Sequence, residues 1–338
     1  MYRFLLSRAI GLVIVLLSVS FLTFIIGYFA PGDPIRVLMG IKSVAYPNAY
    51  MQLKHAYGLD LPWWQQYYNF VANALHGQFG LSYHYQEMQV IDLIRQGLPA
   101  SIELGLEILA VTVIIGIPLG VFTALRANSH ADTTVTGITL LFYTIPDIVL
   151  IVAFQVLMVW LYKQSLPYLP VAGWDSWQSR VGPVLIAAST GVGYFTRLTR
   201  TTMLEVLKQD YIRTARAKGL SEQVVIYLHA LRNASIPLVT LLGPSLAFIV
   251  TGIFFVEYAF NIPGIAYTTL TAVGQLDYPV IQATTILFST AVVVFNALAD
   301  IGYGSSRSTD SGRIEACTCL PQTYPTVTLP QAIGLNPV

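Results

Sequence analysis

Residues 10–30 read IGLVIVLLSVSFLTFIIGYFA, a run without a single charged side chain. A helix needs about 20 mainly apolar residues to cross the hydrocarbon core of a bilayer, so this stretch predicts a membrane span over roughly 9–30. Arg3 and Arg8 precede it, as positive residues precede a secretory leader. Its apolar run is longer than the roughly 7–15 residues of such a leader, and no clear small-x-small cleavage site follows. A retained helix is the expectation.

The rest of the chain has the same character. Of 338 residues, 55% are hydrophobic and 10% charged, against about 25% charged in a soluble domain. Mean hydropathy is +0.62. This composition fits one membrane bundle with lipid, rather than water, against its outside. Further spans are expected near 100–125, 136–162, 181–199, 237–258 and 279–301, giving an all-α polytopic fold of six helices. The net charge of +1 gives no reason to expect nucleic acid. Cys317 and Cys319 stand as CTC, a spacing that matches no usual metal or redox motif.

Six spans put both termini on one side, and the basic residues choose which. Arg3 and Arg8, Arg126, and seven basic residues from Arg197 to Arg232 fall on one face. Arg36, Lys42, Lys54, Arg95, Lys163 and Arg180 are spread over the other, and none lies in 259–278. The excess of Lys and Arg on cytoplasmic loops places both ends and the 197–232 loop in the cytoplasm. The segment 31–98 is then extracytoplasmic. Its stretch LDLPWWQQYYNFVANALHG suits a small helix at the membrane edge, where Trp and Tyr concentrate; contact with an extracytoplasmic partner is compatible with that. The fourth span, VGPVLIAASTGVGYFTRLTR, is rich in small residues that permit close helix packing, which suggests an inner helix continuing through TTMLEVLKQD.

The cytoplasmic loop contains DYIRTARAKGL at 210–220. Asp210 is expected to cap a short helix starting at Tyr211. Arg213, Arg216 and Lys218 fall in its C-terminal half, where the helix dipole favours cations. Gly219 can take a left-handed conformation and end it, and Ser221 offers a second cap. An ordinary positive loop would explain the charge equally well. It would not explain Thr214, Ala215 and Ala217, whose small side chains let a capped helix sit in a partner's groove while the bases reach carboxylates at its rim.

At this point the sequence resembles a known family, the inner-membrane permease subunits of ABC-type peptide and nickel importers, particularly their B-type subunit. The stretch Asp210, Tyr211, Arg213, Thr214, Ala215, Arg216, Ala217, Lys218, Gly219, Leu220, followed by His229 to Ala234 and Pro237, is similar to the family's coupling helix, with Arg213 where the generic motif has glutamate. APGDP at 30–34, YGLDLPWWQQYYNF at 57–70, HGQFGLSY at 76–83, IPLGVFTAL at 117–125 and FFVEYAFNIPGI at 254–265 also resemble family segments. The match covers about 1–303. It implies a type I importer permease fold in a bacterial inner membrane, with a first helix (1–30), an extracytoplasmic segment (31–98) and a core domain (99–301). It further implies a homologous second permease subunit, two cytoplasmic ATPases using ATP-Mg, an extracytoplasmic solute-binding protein and a di- or oligopeptide substrate, with nickel or another small solute as the alternative. No cofactor is expected on this chain itself.

The residues after about 302 depart from the family's Y-x-x-x-D-P-R-x-R ending. Their Ser, Thr, Pro and Gly content predicts disorder. Reading from GSSRSTDSG one nucleotide later allows AVLDPRIR, so a frame change near 302 would account for the departure and leave the two cysteines without function.

Carboxylates inside the apolar spans are costly and usually face a bundle interior or wet cavity. Glu103 and Glu107 share a helix face at about 6 and 12 Å from Pro99, at 1.5 Å per residue. Glu103 is expected near the interface, and Glu107 is the pathway or inter-subunit candidate. Asp147 follows Pro146 and could line the break made by that proline. Glu257, at the outer end of the fifth span, suits packing or gating better than direct substrate binding, and Asp300 a boundary. There is no GxxxxGK[ST] phosphate loop and no HExxH pair, so energy is expected from partners. An intramembrane enzyme would require Glu103, Glu107 and Asp147 to converge. A membrane scaffold is a third class, and the coupling-helix match counts against both.

Overall fold

The computed structural model of the chain describes residues 2–40, 42–85, 88–239, 245, 249 and 253–314, with side chains described between residues 10 and 298. Those residues are helical apart from loops and one isolated bridge between Leu81 and Gln89. Helix α1 (Tyr2–Phe29) is the long apolar run of the N-terminal region. It stops at Pro31 and Gly32, and Asp33 then caps α2 (Pro34–Met39), its Oδ1 accepting from the N–H of Ile35 at 2.9 Å and of Arg36 at 3.2 Å. Short helices α3 (Lys42–Ala45) and α4 (Pro47–Ala56) lead to α5 (Trp63–Leu75), the aromatic helix expected in the extracytoplasmic segment. Tyr67 of α5 holds it to α1 through the Ser20 hydroxyl at 3.1 Å and the rings of Phe21 and Phe24.

Helix α6 (Val90–Leu125) starts ten residues before the predicted second span and runs through Pro99 and Pro118. At 36 residues it is about 54 Å long at 1.5 Å per residue. Helices α7 (His130–Thr144) and α8 (Asp147–Lys163) replace the single predicted span 136–162, with a bend of 97° between them. Pro146 causes it. Proline has no N–H to continue the ladder and drives the preceding residue out of the helical region; Ile145 is extended at φ −75°, ψ 125°.

Helix α9 (Trp177–Leu207) covers the predicted fourth span and, as expected of an inner helix, packs closely along α6 and α7. Small residues make that possible. A Cβ on Gly120 of α6 would overlap Thr199 of α9 and stand 2.7 Å from the Thr196 carbonyl, so the backbones approach as only glycine allows. Beyond α9 come α10 (Asp210–Ala217), α11 (Glu222–Val224), a π-helical turn (Val225–Ala230) and α12 (Leu231–Ala234). Half of the predicted fifth span, 237–258, falls outside the described residues. Its last part forms a separate short helix, α13 (Phe254–Ala259), followed by α14 (Ile265–Gly274) and α15 (Tyr278–Ile314).

Among the described residues, Ile10–Phe29, Val90–Leu125 and Tyr278–Leu298 are each long and apolar enough to cross a membrane, and the bent α7–α8 pair would make a fourth. Large apolar side chains stand bare on these helices, among them Ile14, Leu22, Ile26, Ile114 and Val156. Soluble monomers rarely expose contiguous patches of this kind. The chain is an all-α, multi-pass membrane protein.

The chain divides into two units, Met1–Ala299 and Asp300–Val338. In the second the backbone is helical as far as Ile314. The side chain of Asp300 and residues 315–338, with Cys317 and Cys319, lie outside the described set.

Candidate functional site

Helix α10 stands at the end of the bundle where α6 and α9 finish. Ile212 is fully buried and Ala215 is 8% exposed. Being three apart, they share one face. They join Val121 and Ala124 of α6, Met203 of α9, and Val225, Ile226, Ala230 and Ala234 in one apolar cluster. Ala215 therefore faces the chain's own core, not a partner's groove as its size suggested. The other nine residues of the motif, Asp210, Tyr211, Arg213, Thr214, Arg216, Ala217, Lys218, Gly219 and Leu220, are exposed except at their backbone bonds.

Capping differs from expectation at the start of the helix and agrees at its end. Gln209, extended at φ −71°, ψ 148°, is the N-cap, and Asp210 is the first helical residue. There its charge still favours the helix N-terminus, and it lies 3.6 Å from Arg213. Ser221 is the N-cap of α11, as expected, in extended conformation at φ −61°, ψ 146°, though its hydroxyl accepts no capping N–H. At the other end Gly219 has φ +77°. Its N–H donates to the Arg216 carbonyl at 2.9 Å, and the Leu220 N–H donates to the Ala215 carbonyl at 3.4 Å. This pair of bonds is the Schellman ending, which requires the left-handed residue.

The bases of α10 are not equivalent. Arg216 grips Glu222 with two hydrogen bonds, Nε to Oε2 at 3.1 Å and Nη2 to Oε1 at 2.6 Å, closing the turn between α10 and α11. That guanidinium holds the Glu222 carboxyl below the usual carboxylate range. Arg213, with 76% of its side chain exposed, and Lys218 stand in the open. Tyr211 accepts from Asn233 Nδ2 at 3.0 Å, tying α10 to the segment after the π turn.

Nearby, Asp132 takes both nitrogens of Arg200, Nε and Nη2, at 2.7 Å each and accepts the Asn128 N–H at 2.9 Å. This clasp joins the start of α7 to α9. Sequence reasoning passed over it, although Ser129-His130-Ala131-Asp132 is a capping signature; the Ser129 hydroxyl accepts from the Asp132 N–H at 3.3 Å.

At the opposite end of α6 and α9, Arg180 bridges Glu107 at 3.0 Å and Glu103 at 3.1 Å. Its guanidinium lies over Trp174 at 4.5 Å, whose indole N–H donates to Glu103 at 3.2 Å. Asp147 pairs instead with the Thr190 hydroxyl at 3.0 Å. Thr190 is ten residues, or about 15 Å of helix, from Arg180. Glu103 and Glu107 meet, and Asp147 stands apart, so the three make no common acid–base site.

Glu257 is 0% exposed. Its Oε1 accepts from the Ser101 hydroxyl at 2.8 Å, and its Oε2 accepts from the N–H groups of Ala266 at 2.9 Å and Tyr267 at 3.1 Å. It therefore caps α14 and binds it to α6. Asp277 is a second buried clasp, unforeseen from sequence: it accepts from the Ser82 hydroxyl and from the N–H groups of Tyr83 at 3.1 Å and His84 at 3.2 Å. Among the described residues no group of three His, Cys, Asp or Glu is placed to hold a metal.

Two sequence families match the chain: the N-terminal family of binding-protein-dependent transport system membrane components over residues 1–105, and the binding-protein-dependent transport system inner membrane component over 116–306. Relatives align over nearly their whole length. The dipeptide transport system permease protein DppB of Lactococcus lactis subsp. cremoris is 35% identical over 89% of this chain and 96% of its own. The protein of the same name in Bacillus subtilis is 36% identical over 90% and 96%. The glutathione transport system permease protein GsiC of Escherichia coli K12 is 33% identical over 90% and 97%.

Proposed function

We propose that this chain, which belongs to the family of binding-protein-dependent transport system inner membrane components, forms half of the membrane pathway of an ATP-driven importer of short peptides. Its similarity to permeases named for dipeptide and glutathione transport supports the substrate class. A second, homologous permease subunit completes the pathway, two ATPases dock at the α10 end, and a solute-binding protein delivers peptide on the opposite face. Both termini and α10 lie in the cytoplasm, on the side favoured by the seven basic residues from Arg197 to Arg232.

The observation that carries this reading is the two-sided build of α10. One face is anchored in the chain by Ile212 and Ala215, and the other presents Arg213, Thr214, Ala217 and Lys218. A docked ATPase that moves this helix pushes on Val121 and Ala124 of α6 and on Met203 of α9. Helices transmit such a push lengthwise. From Ala124 to Glu107 is about 26 Å of α6 at 1.5 Å per residue, and at that far end Glu107 is tied to α9 by Arg180. Sliding α6 against α9 loads or breaks this ion pair, which makes Glu107 and Arg180 the gate elements. Asp147, at the α7–α8 break, lines the pathway where helical backbone is interrupted. Glu257 acts in gating by keeping α14 on α6. The Mg-ATP consumed belongs to the partner ATPases, and this chain supplies no catalytic group.

Reconstitution with the partner subunits and uptake of a labelled dipeptide test the proposal. ATP-dependent uptake is expected. Uptake of nickel ions with no dipeptide transport would replace the substrate class, and a chain that retains no ATPase would remove the importer reading.

A further inference from the structure

The extracytoplasmic segment lines an open cleft of about 420 Å3, bordered by the end of α1, by α4 and α5, by the loop 78–83 and by the start of α15. Its volume lies within the range of about 300–1,000 Å3 typical of small-molecule sites. The rings of Phe24, Tyr57 and Tyr83 contribute to its walls. Asn73, Gln78 and Gln282 also line it, and among the described residues their side chains make no hydrogen bond to protein. Tyr278 also borders it. Asn73 and Gln78 are exposed and Gln282 is half-buried, so their amides are open to a ligand that both accepts and donates. The rim is fixed in advance: Asp277, just before α15, pins Ser82, Tyr83 and His84.

The charges are one of each sign. Lys54 contributes an ammonium that meets no carboxylate within ion-pair distance among the described residues. Asp33 contributes a carboxylate whose oxygens already accept from Tyr50 and from the backbone of α2, with Arg36 Nε 3.7 Å from its Oδ2. Side-chain amides both donate and accept, as a peptide bond requires. A phosphate monoanion would use Lys54 and meet Asp33 unfavourably. A zwitterion with an amide between its charges uses the whole lining.

We propose that this cavity is a binding site for a short zwitterionic peptide, a receiving station on the permease itself, with Lys54 taking the peptide carboxylate, Asp33 facing its ammonium, and Asn73, Gln78 and Gln282 pairing with the amide between. The peptide character of the ligand rests on the function proposed above.

The test uses the full-length chain in nanodiscs of neutral phosphatidylcholine, without a solute-binding protein, and labelled L-alanyl-L-alanine as probe. Saturable binding is expected. N-acetylation together with C-terminal amidation of the probe, Lys54→Met, and Gln282→Leu are each expected to weaken it, with Lys54→Met losing about tenfold for one charge-assisted bond. Thermal unfolding of both variants should match the parent chain, which separates lost contacts from lost fold. No saturable binding, or binding indifferent to Lys54→Met and to the blocked probe, overturns the proposal. So does Lys54-dependent retention of phosphatidylglycerol that dialanine does not displace, which would make the cavity a lipid site. Uptake by the reconstituted complex separates the two layers. Dialanine uptake equal in the parent and Lys54→Met, without direct binding, sinks the cavity alone; no dialanine uptake by the parent complex sinks the function on which it rests.

Discussion

The two ends of the α6–α9 pair carry charge in opposite ways. Around α13, α14 and the foot of α15, the carboxylates of Glu257 and Asp277 are buried, and every bond they make runs inward to a hydroxyl or a backbone N–H. On α10 the charges are outside, and only the apolar Ile212 and Ala215 point in. A buried carboxylate left unpaired costs several kcal/mol, whereas an exposed ion pair contributes about 0–1 kcal/mol. The charges of Glu257 and Asp277 therefore fix structure, as do the Asp132–Arg200 and Arg216–Glu222 pairs, whereas Arg213 and Lys218 on α10 are exposed to a partner.

The sharpest way to break that contrast is at Glu257. Replacing it by alanine leaves the Ser101 hydroxyl and two N–H groups of α14 without their acceptor. We expect a loss of about 3 kcal/mol, at roughly 1–3 kcal/mol per orphaned buried group with partial relief by water, read as a lower unfolding midpoint in detergent or nanodiscs. An unchanged midpoint would show that the clasp is incidental. Gly219→Val comes next. Its φ of +77° is one a β-branched residue adopts at a cost of about 1–2 kcal/mol. Nothing lies within 4 Å of the added Cβ, so the strain is local. Fold should survive, while ATP hydrolysis runs without matching transport, measured as ATP consumed per peptide imported.

The smallest effect is a pH effect in the turn after α10. Arg216 holds the Glu222 carboxyl below its ordinary value. A carboxyl depressed in the folded state contributes stability above its unfolded pKa, and that contribution fades as pH falls from there through the lower folded value. Hydrogen exchange over 216–224 should therefore show the turn opening more readily under acid conditions. Glu222→Gln should remove this pH dependence without altering the bundle; a dependence that persists in the variant would assign it to another group.

What could be read from sequence is what is encoded locally. The apolar run of α1, the proline break before Asp147, the glycine stop at 219 and the small-residue face of α9 each need only a few neighbouring residues. The clasps do not work that way. Ser82 and Asp277 are 195 residues apart, and Ser101 and Glu257 are 156 apart, so no window along the chain shows them as pairs. Short helices are equally opaque. Across the eight residues of α10, nothing local reveals that Ala215 turns inward while Ala217 turns out, because the surface it covers is built by α6 and α9. Asp210 misled for a simpler reason. An acid serves equally as N-cap or as first helical residue, and the sequence does not separate the two.

On the outer face of α10, Arg213 and Lys218 make a docking surface whose charges stabilise a partner and not the fold. Its most direct test is the double charge reversal Arg213→Glu with Lys218→Glu, purified with the partner ATPases at low and at moderate salt. The account predicts an unfolding midpoint equal to that of the parent chain and loss of the ATPases from the purified complex, the parent complex itself weakening as salt rises. Full retention of the ATPases together with normal transport would contradict it.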